Sequence, residues 1–246
     1  MPAAKGQDAL AQITELLGGL RVHDASPAIA DDTEMWFMHE GPQVTTVFQH
    51  AEHGAATNRV SLSEHTGTHV DAPFHFDPHG ATIDEVEPDA LLLRPYRKLD
   101  LSPLDLSPGD LVGADALQAA GELPGRGEVA VVEFGWDRYL PGGADAKEPG
   151  WWGRNEPGLD ESACQLLVDA GVAAVASDTA ACDVAARDGE VLSGHGHAFA
   201  FLPNAILIVE GLRGLAEVPQ TGLFVGLPLK IARGTGSPMR VLLLYP

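Results

Sequence analysis

DESACQLLVDAGVAAVASD, residues 160–178, joins two elements with no linker between them. Its first half reads as a helix. Asp160 stands where a side-chain oxygen caps the free N–H groups of a first turn, and Gly171 stands where a helix stops. Its second half, 172–178, is a short apolar run typical of a strand buried on both faces. Further runs of that kind lie at 128–134 (EVAVVEF), 205–212 (AILIVEGL), 222–231 (GLFVGLPLKI) and 240–245 (RVLLLY). The β-branched stretches 43–49 (QVTTVFQ) and 57–65 (TNRVSLSEH) read as half-buried strands. At the N-terminus, 8–18 has apolar positions at helical spacing and ends in Gly18-Gly19, and the turn-rich segment 22–37 reads as an irregular arm. Strands outnumber helices, and only some strand–helix–strand units are present. The pattern therefore predicts an α/β fold: one domain over 1–246, with a mixed central sheet that is not a regular barrel and an N-terminal helix and arm over 1–40.

Composition narrows the function classes. Hydrophobic residues make up 45% and charged residues 20%, which suits a packed domain and not a disordered chain. The formal net charge of −20 repels phosphate backbones and anionic lipid surfaces, so neither nucleic acid nor membrane is an expected partner. No apolar run is long enough to span a bilayer, and no basic segment followed by an apolar stretch marks a leader, so the expected location is the cytoplasm. The two cysteines, Cys164 and Cys182, fall in different elements and read as small buried hydrophobes, not as a metal or redox pair.

The chemistry is concentrated in His65-Thr-Gly-Thr-His69-Val-Asp71-Ala-Pro-Phe-His75. Three of the chain's ten histidines sit there with one aspartate. Gly67, Pro73 and the Thr/Val content rule out a continuous helix, so the i, i+4 spacing of His65 and His69 is not that of a helical zinc motif. The segment reads instead as a strand end near His65, a glycine turn, and an extended piece in which His69 and Asp71 share a face. Imidazoles and a carboxylate brought to one point suit zinc, with tolerance for manganese or magnesium, and the two oxygens of Asp71 could bridge two ions. Two such ions would polarise a carbonyl and generate hydroxide at neutral pH.

Other residues compete to complete the site. His195 and His197 lie in a Gly-rich loop, and Glu210 ends an apolar strand, where a charge needs a partner. Asp178 ends the strand 172–178 and Asp183 follows five residues later, and both are either site residues or turn and cap residues. Trp136, with Trp151 and Trp152, either walls a pocket or packs in the core. Phe76, next to His75, is a further candidate for substrate contact.

HTGTHVDAPFHF resembles the signature of the cyclase family, which includes bacterial kynurenine formamidase and isatin hydrolase. The signature runs His-x-Gly-Thr-His-x-Asp-x-Pro-x-His and is matched at His65, Gly67, Thr68, His69, Asp71, Pro73 and His75. The likeness extends from about residue 22 to the end, through EFGWDRY, PGLDESACQLLVDAGVAAVASDT, ILIVEGL and GTGSPMRVLLL. It implies a swivelling β/β/α-type fold, a homo-oligomer (dimer or tetramer), and one or two zinc or manganese ions. It also implies hydrolysis of an amide, formamide or lactam C–N bond of a small molecule. Carried over position by position, His65, His69 and Asp71 would be metal ligands and His75 the general acid/base. A histidine of 195–197 and Glu210 would complete a second metal, and Trp36 stands where the family has an aromatic near the substrate. Two departures stand out. His197 and Glu210 are thirteen apart where the family commonly has twelve, which an insertion near Leu202-Pro203-Asn204 reconciles in favour of His197. Glu133-Phe134 replaces the Arg-Thr of kynurenine formamidases, which predicts a different pocket floor and withholds kynurenine specificity.

The same residues would serve a lactonase, dehydratase or cyclase. A non-catalytic metal-binding module is the reading outside catalysis. The absence of cysteine from the motif and the spare histidine favour an open, catalytic site.

Overall fold

The architecture follows from how the buried strands share one sheet. The structure, a computed structural model, describes residues 2–246, with side chains from Asp8 onward. Nine strands form one mixed sheet: β1 (Arg21–Asp24), β2 (His69–Asp71), β3 (Arg94–Asp100), β4 (Val129–Glu133), β5 (Ala174–Ser177), β6 (Leu207–Glu210), β7 (Thr221–Gly226), β8 (Gly236–Pro238) and β9 (Val241–Tyr245). Their order is β1-β9-β7-β3-β4-β5-β6-β2-β8. The four middle strands, β3 to β6, run parallel, and every pairing outside them is antiparallel. The all-apolar reading of 129–132 and 174–176 is thereby explained, because parallel strands are covered on both faces.

Alternation along β4 divides the core in two. Ala130 and Val132 belong to a cluster with Leu117, Leu167 and Val175, covered by helices α2 (Ala114–Ala119) and α3 (Glu161–Ala170). Val129 and Val131 face the other way, into a cluster with Val70, Tyr96, Val209, Phe224 and Leu243 drawn from strands across the whole sheet. The second cluster is enclosed because the sheet curls. β8 lies at one end of the strand order and β9 next to the other, yet only Met239 and Arg240 separate them. Two residues cannot cross a flat sheet whose strands lie about 4.8 Å apart, so the two ends must approach each other. α3 is bounded as its sequence demands: Asp160 accepts the Ala163 N–H at 3.0 Å, and Gly171 takes a left-handed φ of 72°.

Several elements differ from the sequence expectation. The arm does not start as irregular chain, since β1 pairs with β9 through Val22–Leu244 and His23–Leu243. The strand expected over 57–65 stops at Ser61, which leaves His65 in the loop that follows. It pairs only with Gln43–Phe48, in an exposed hairpin. β3 was not anticipated, because Arg94, Arg97, Lys98 and Asp100 break the apolar signal. The N-terminal helix, α1, spans Pro2–Gly18, and among the described residues no helix is long and apolar enough to cross a membrane.

Lys98 earns its buried position through Glu133 on the neighbouring strand. Its ammonium donates to Glu133 Oε2 at 2.7 Å and to the Leu215 carbonyl at 2.8 Å. The expectation that Glu133-Phe134 changes the pocket floor is corrected: Glu133 is committed to Lys98, and Phe134 packs in the helix-covered core. Removing one member of a buried pair strands the other charge. Glu133→Ala is expected to lower stability by about 3–5 kcal/mol, and the double change Lys98→Met/Glu133→Leu to recover most of the loss. Urea titration of the three proteins checks this, and an additive double variant would refute the pairing argument.

Candidate metal centre

The site grows from the short strand β2. His69 and Asp71 leave one face of it while Val70 enters the core on the other, as alternation requires. β6 runs antiparallel beside β2 and sets Glu210 opposite His69. Gly67, at φ 60°, turns the preceding loop so that His65 comes back over the strand. Pro73 opens a short turn, Pro73–His75, that carries His75 to the rim. His197 arrives from a wide helical turn, Gly196–Ala200, after the loop that follows β5. Gly196 is required beside it, because a Cβ there would lie 2.7 Å from the Asp183 carboxyl carbon.

Three imidazoles and two carboxylates thus meet, all nearly buried. His65 Nδ1 lies 2.7 Å from Asp71 Oδ1, and His69 Nε2 lies 3.4 Å from Asp71 Oδ1 and 3.3 Å from Glu210 Oε2. His197 Nε2 lies 3.2 Å from Asp71 Oδ2 and 3.2 Å from Glu210 Oε1. The donors form two groups, His65–His69–Asp71 and Asp71–His197–Glu210, which share Asp71 through its two oxygens.

The outward nitrogens show what the inward ones do. His69 Nδ1 donates to the Gly67 carbonyl at 2.9 Å. His197 Nδ1 pairs with Asp183, whose other oxygen accepts the His197 backbone N–H at 3.1 Å. The Thr235 hydroxyl donates to Glu64 Oε2 at 2.6 Å, so it accepts from His65 Nε2 at 2.9 Å. Each imidazole therefore spends one N–H outside the site, which assigns its tautomer from the network and turns a lone pair inward towards carboxylate oxygens. Lone pairs cannot face lone pairs at such distances without a proton or a metal ion between them. Glu210 Oε1 makes no hydrogen bond despite its neighbour at 3.2 Å. A tetrahedral zinc site with bonds of about 2.0–2.1 Å has donor–donor edges of about 3.3 Å, so this donor set fits a divalent metal.

The electrostatics agree. Burial pushes the Asp71 carboxyl up, but hydrogen bonds from His197, His65 and His69 outweigh it and hold the group well below the usual carboxylate range. Burial acts downward on His69, yet Asp71 and Glu210 raise it to about 10. His197 is likewise raised against its burial, chiefly by Asp183. His75 belongs to neither donor group. It stacks on His65 with ring centroids 4.1 Å apart, and burial lowers it to about 4.

A model of the Cyclase family, described as "Putative cyclase", matches residues 23–184. The chain belongs to that family. Kynurenine formamidase of Paracidovorax citrulli is 31% identical over 235 residues, covering 92% of this chain and 94% of the relative. Isatin hydrolase of Roseibium aggregatum is 30% identical over 201 residues, 78% of this chain and 75% of the relative. The fold superposes on a crystal structure of an isatin hydrolase bound to the product analogue thioisatinate with a TM-score of 0.82, at 25% identity and covering 98% of both chains.

Within this cyclase-family frame the expected site residues separate. His65, His69, Asp71, His197 and Glu210 converge, and His75, Trp36 and Phe76 line the pocket in front of them. His195 lies outside the cluster, with its ring tilted against that of Phe199 at a centroid separation of 5.5 Å. Two expectations are corrected. Trp136 walls no pocket: it is fully buried and donates from Nε1 to the Asn155 carbonyl at 2.6 Å. Asp178 is a structural acceptor for the backbone N–H groups of Phe134 and Trp136, at 2.7 and 2.6 Å. His39, in the arm and with no motif to flag it, joins the pocket unanticipated. The orienting pairs Asp183–His197 and Thr235–Glu64 also escaped the sequence, since both span long separations.

Two outcomes follow for the metal. Asp183→Asn should leave the ligands in place but weaken metal binding by about 10–100-fold, as read by competition with a chromophoric chelator. Unchanged affinity would refute the orienting role. The second outcome concerns pH. In the metal-free protein His69 and His197 are raised above the ordinary 6.5, His69 to about 10, so their protons stabilise the fold below about 6.5 and that stability is lost as pH climbs towards 10. A bound cation replaces those protons. The Tm gap between metal-loaded and metal-free protein should therefore widen from pH 6.5 to 9, and a constant gap would contradict the account.

Proposed function

We propose that this chain is a metal-dependent hydrolase that cleaves the C–N bond of an amide, formamide or lactam in a small aromatic molecule. The observation that carries the reading is the five-residue donor set with inward lone pairs, beside an unused histidine in an open pocket. Kinship with kynurenine formamidase and isatin hydrolase, both of which act on such bonds by name, supports it.

The metal, zinc or manganese at one or two per chain, would be held by His65, His69 and Asp71 on one side and by Asp71, His197 and Glu210 on the other. When bound it supplies Lewis acidity and a water whose pKa falls towards ~7. The protein's own groups do the rest. His75 makes no side-chain hydrogen bond among the described residues and is not needed as a ligand, so it accepts the proton of the attacking water and returns it to the leaving nitrogen. Asp183 and Thr235 fix the ring planes of His197 and His65. Trp36 and Phe76 flank the pocket and hold an aromatic substrate edge or face on, reducing the water that reaches the cleaved bond.

A homo-oligomer belongs to this reading. Leu10, Ile13 and Leu16 of α1 are exposed, as are Val47, Phe48 and Val60 of the hairpin, which is apolar area of the kind a second copy covers. A cytoplasmic setting suits the two free, buried cysteines, which a reducing compartment keeps as thiols.

The test pairs metal content with turnover. Wild-type protein purified without an affinity tag should carry one to two equivalents of metal by ICP-MS and hydrolyse formanilides or lactams. Asp71→Ala should lose both. His75→Ala should keep its metal and lose about 10²–10⁴-fold in kcat. Near-wild-type turnover by His75→Ala would refute its role, and bound metal with no turnover on formanilides, lactams or lactones would favour a non-catalytic module.

A further inference from the structure

The pocket in front of the donors has a volume of about 500 Å³. Apart from the donors, its walls are mostly apolar: Trp36, Met38, Phe76, Ala180, Val184 and Val191. Among the described residues, no lysine or arginine lines it. Away from the donors, an anionic substituent would leave water for apolar walls with no lysine or arginine to receive it. The pocket is built for an uncharged aromatic molecule.

Two histidines on its wall are outside the donor groups, His75 and His39. His75 has the proton-transfer role proposed above. His39 is half-buried, and its ring packs beside that of His65, with centroids 5.3 Å apart and planes tilted by 37°. Its backbone is held in place, since its N–H donates to the Trp36 carbonyl at 3.0 Å and the adjoining Phe37 N–H donates to Gly153. Its Nδ1 is wholly buried and has no partner. Folded proteins tolerate a buried bare acceptor better than an orphaned N–H, so the proton belongs on Nε2. Nε2–H is then the one donor His39 can offer, and the pocket is where a partner can come from. A donor there would otherwise have to be stripped of water without replacement whenever a substrate enters.

We propose that His39 is a substrate-binding residue, donating from Nε2 to a carbonyl or similar acceptor that an uncharged aromatic substrate carries beside the bond to be cleaved. The inference rests on the hydrolase reading for what the pocket holds, but concerns recognition and not the chemical step. Such a contact discriminates more sharply than the apolar walls do, because a ligand lacking the acceptor leaves the donor unpaired.

The test is titration calorimetry on metal-loaded protein in the His75→Ala background, which slows turnover. Three ligands separate the terms. Isatin is uncharged and carries a ketone beside its lactam, oxindole has the same rings without the ketone, and isatin-5-sulfonate adds a fixed negative charge. Isatin should bind about tenfold tighter than oxindole, the effect of one hydrogen bond, and the sulfonate more weakly than isatin. Adding His39→Ala should bring isatin down to the affinity of oxindole and leave oxindole unchanged, and His39→Gln, which keeps a donor, should retain most of the preference. Equal weakening of both uncharged ligands by His39→Ala, an undiminished isatin preference, tighter binding of the sulfonate, or no binding of either uncharged ligand would each overturn the proposal. Hydrolysis of isatin and formanilide by otherwise wild-type protein is measured alongside. The expected binding pattern with no turnover would retire the hydrolase reading and leave the His39 assignment standing, and turnover with no effect of His39→Ala would do the reverse.

Discussion

Everything in the site depends on two buried carboxylates, Asp71 and Glu210, set against three imidazole lone pairs. A carboxylate in a low-dielectric interior is stable only if something positive meets it, and a neutral imidazole that has already spent its N–H elsewhere offers nothing positive. The outward bonds to Gly67, Asp183 and Thr235 therefore decide the character of the centre. They remove the option in which each histidine simply donates to a carboxylate, and leave protons or a metal ion as the only ways to balance the charge. Without those outer partners the same five residues could relax into an ordinary network of neutral pairs.

The fold exists to hold that convergence rigid. Asp71 and His69 come from a three-residue strand trapped between β6 and β8, so their Cα positions are fixed by ladder bonds on both sides. The curl of the sheet sets this strand near the far end of the strand order while Val70 still reaches the common core. His197 is the exception, since it sits on a wide turn in a long connection and not on a strand. Its position is secured instead by Asp183, which grips both its ring and its backbone N–H. A residue that a sheet would fix by register is here fixed by one carboxylate.

How much of this could be read from the chain depends on how local each signal is. The helix 160–171 and the strand after it were legible because cap, stop and apolar run are adjacent in sequence. The first donor group was legible for the same reason, since His65, His69 and Asp71 lie in one short stretch of chain. Strand β3 was not, because Lys98 reads as an exposed residue until Glu133 of the next strand is seen beside it. Trp136 follows a buried strand and could have faced either way. Its burial is decided by Asn155 and the core around it, which no neighbouring residue announces. The choice between His195 and His197 also needed the tertiary partner, since both sit in the same Gly-rich loop and only one meets Asp183.

The division between legible and illegible parts follows a division of labour. His65, His69, Asp71 and His75 are loop, strand and turn residues of a single motif, held by backbone geometry that leaves little room to vary. The pocket walls come from elsewhere: Trp36, Met38 and His39 from the arm, and Val184, Val191 and Gly194 from the loop after β5. Met38 and Val191 are exposed. Substitutions there disturb neither the ladder around β2 nor the outward bonds of the three histidines. The donor set and the pocket walls can therefore change independently, and a chain at about 30% identity to both a formamidase and an isatin hydrolase can keep its donors while its own walls decide what enters.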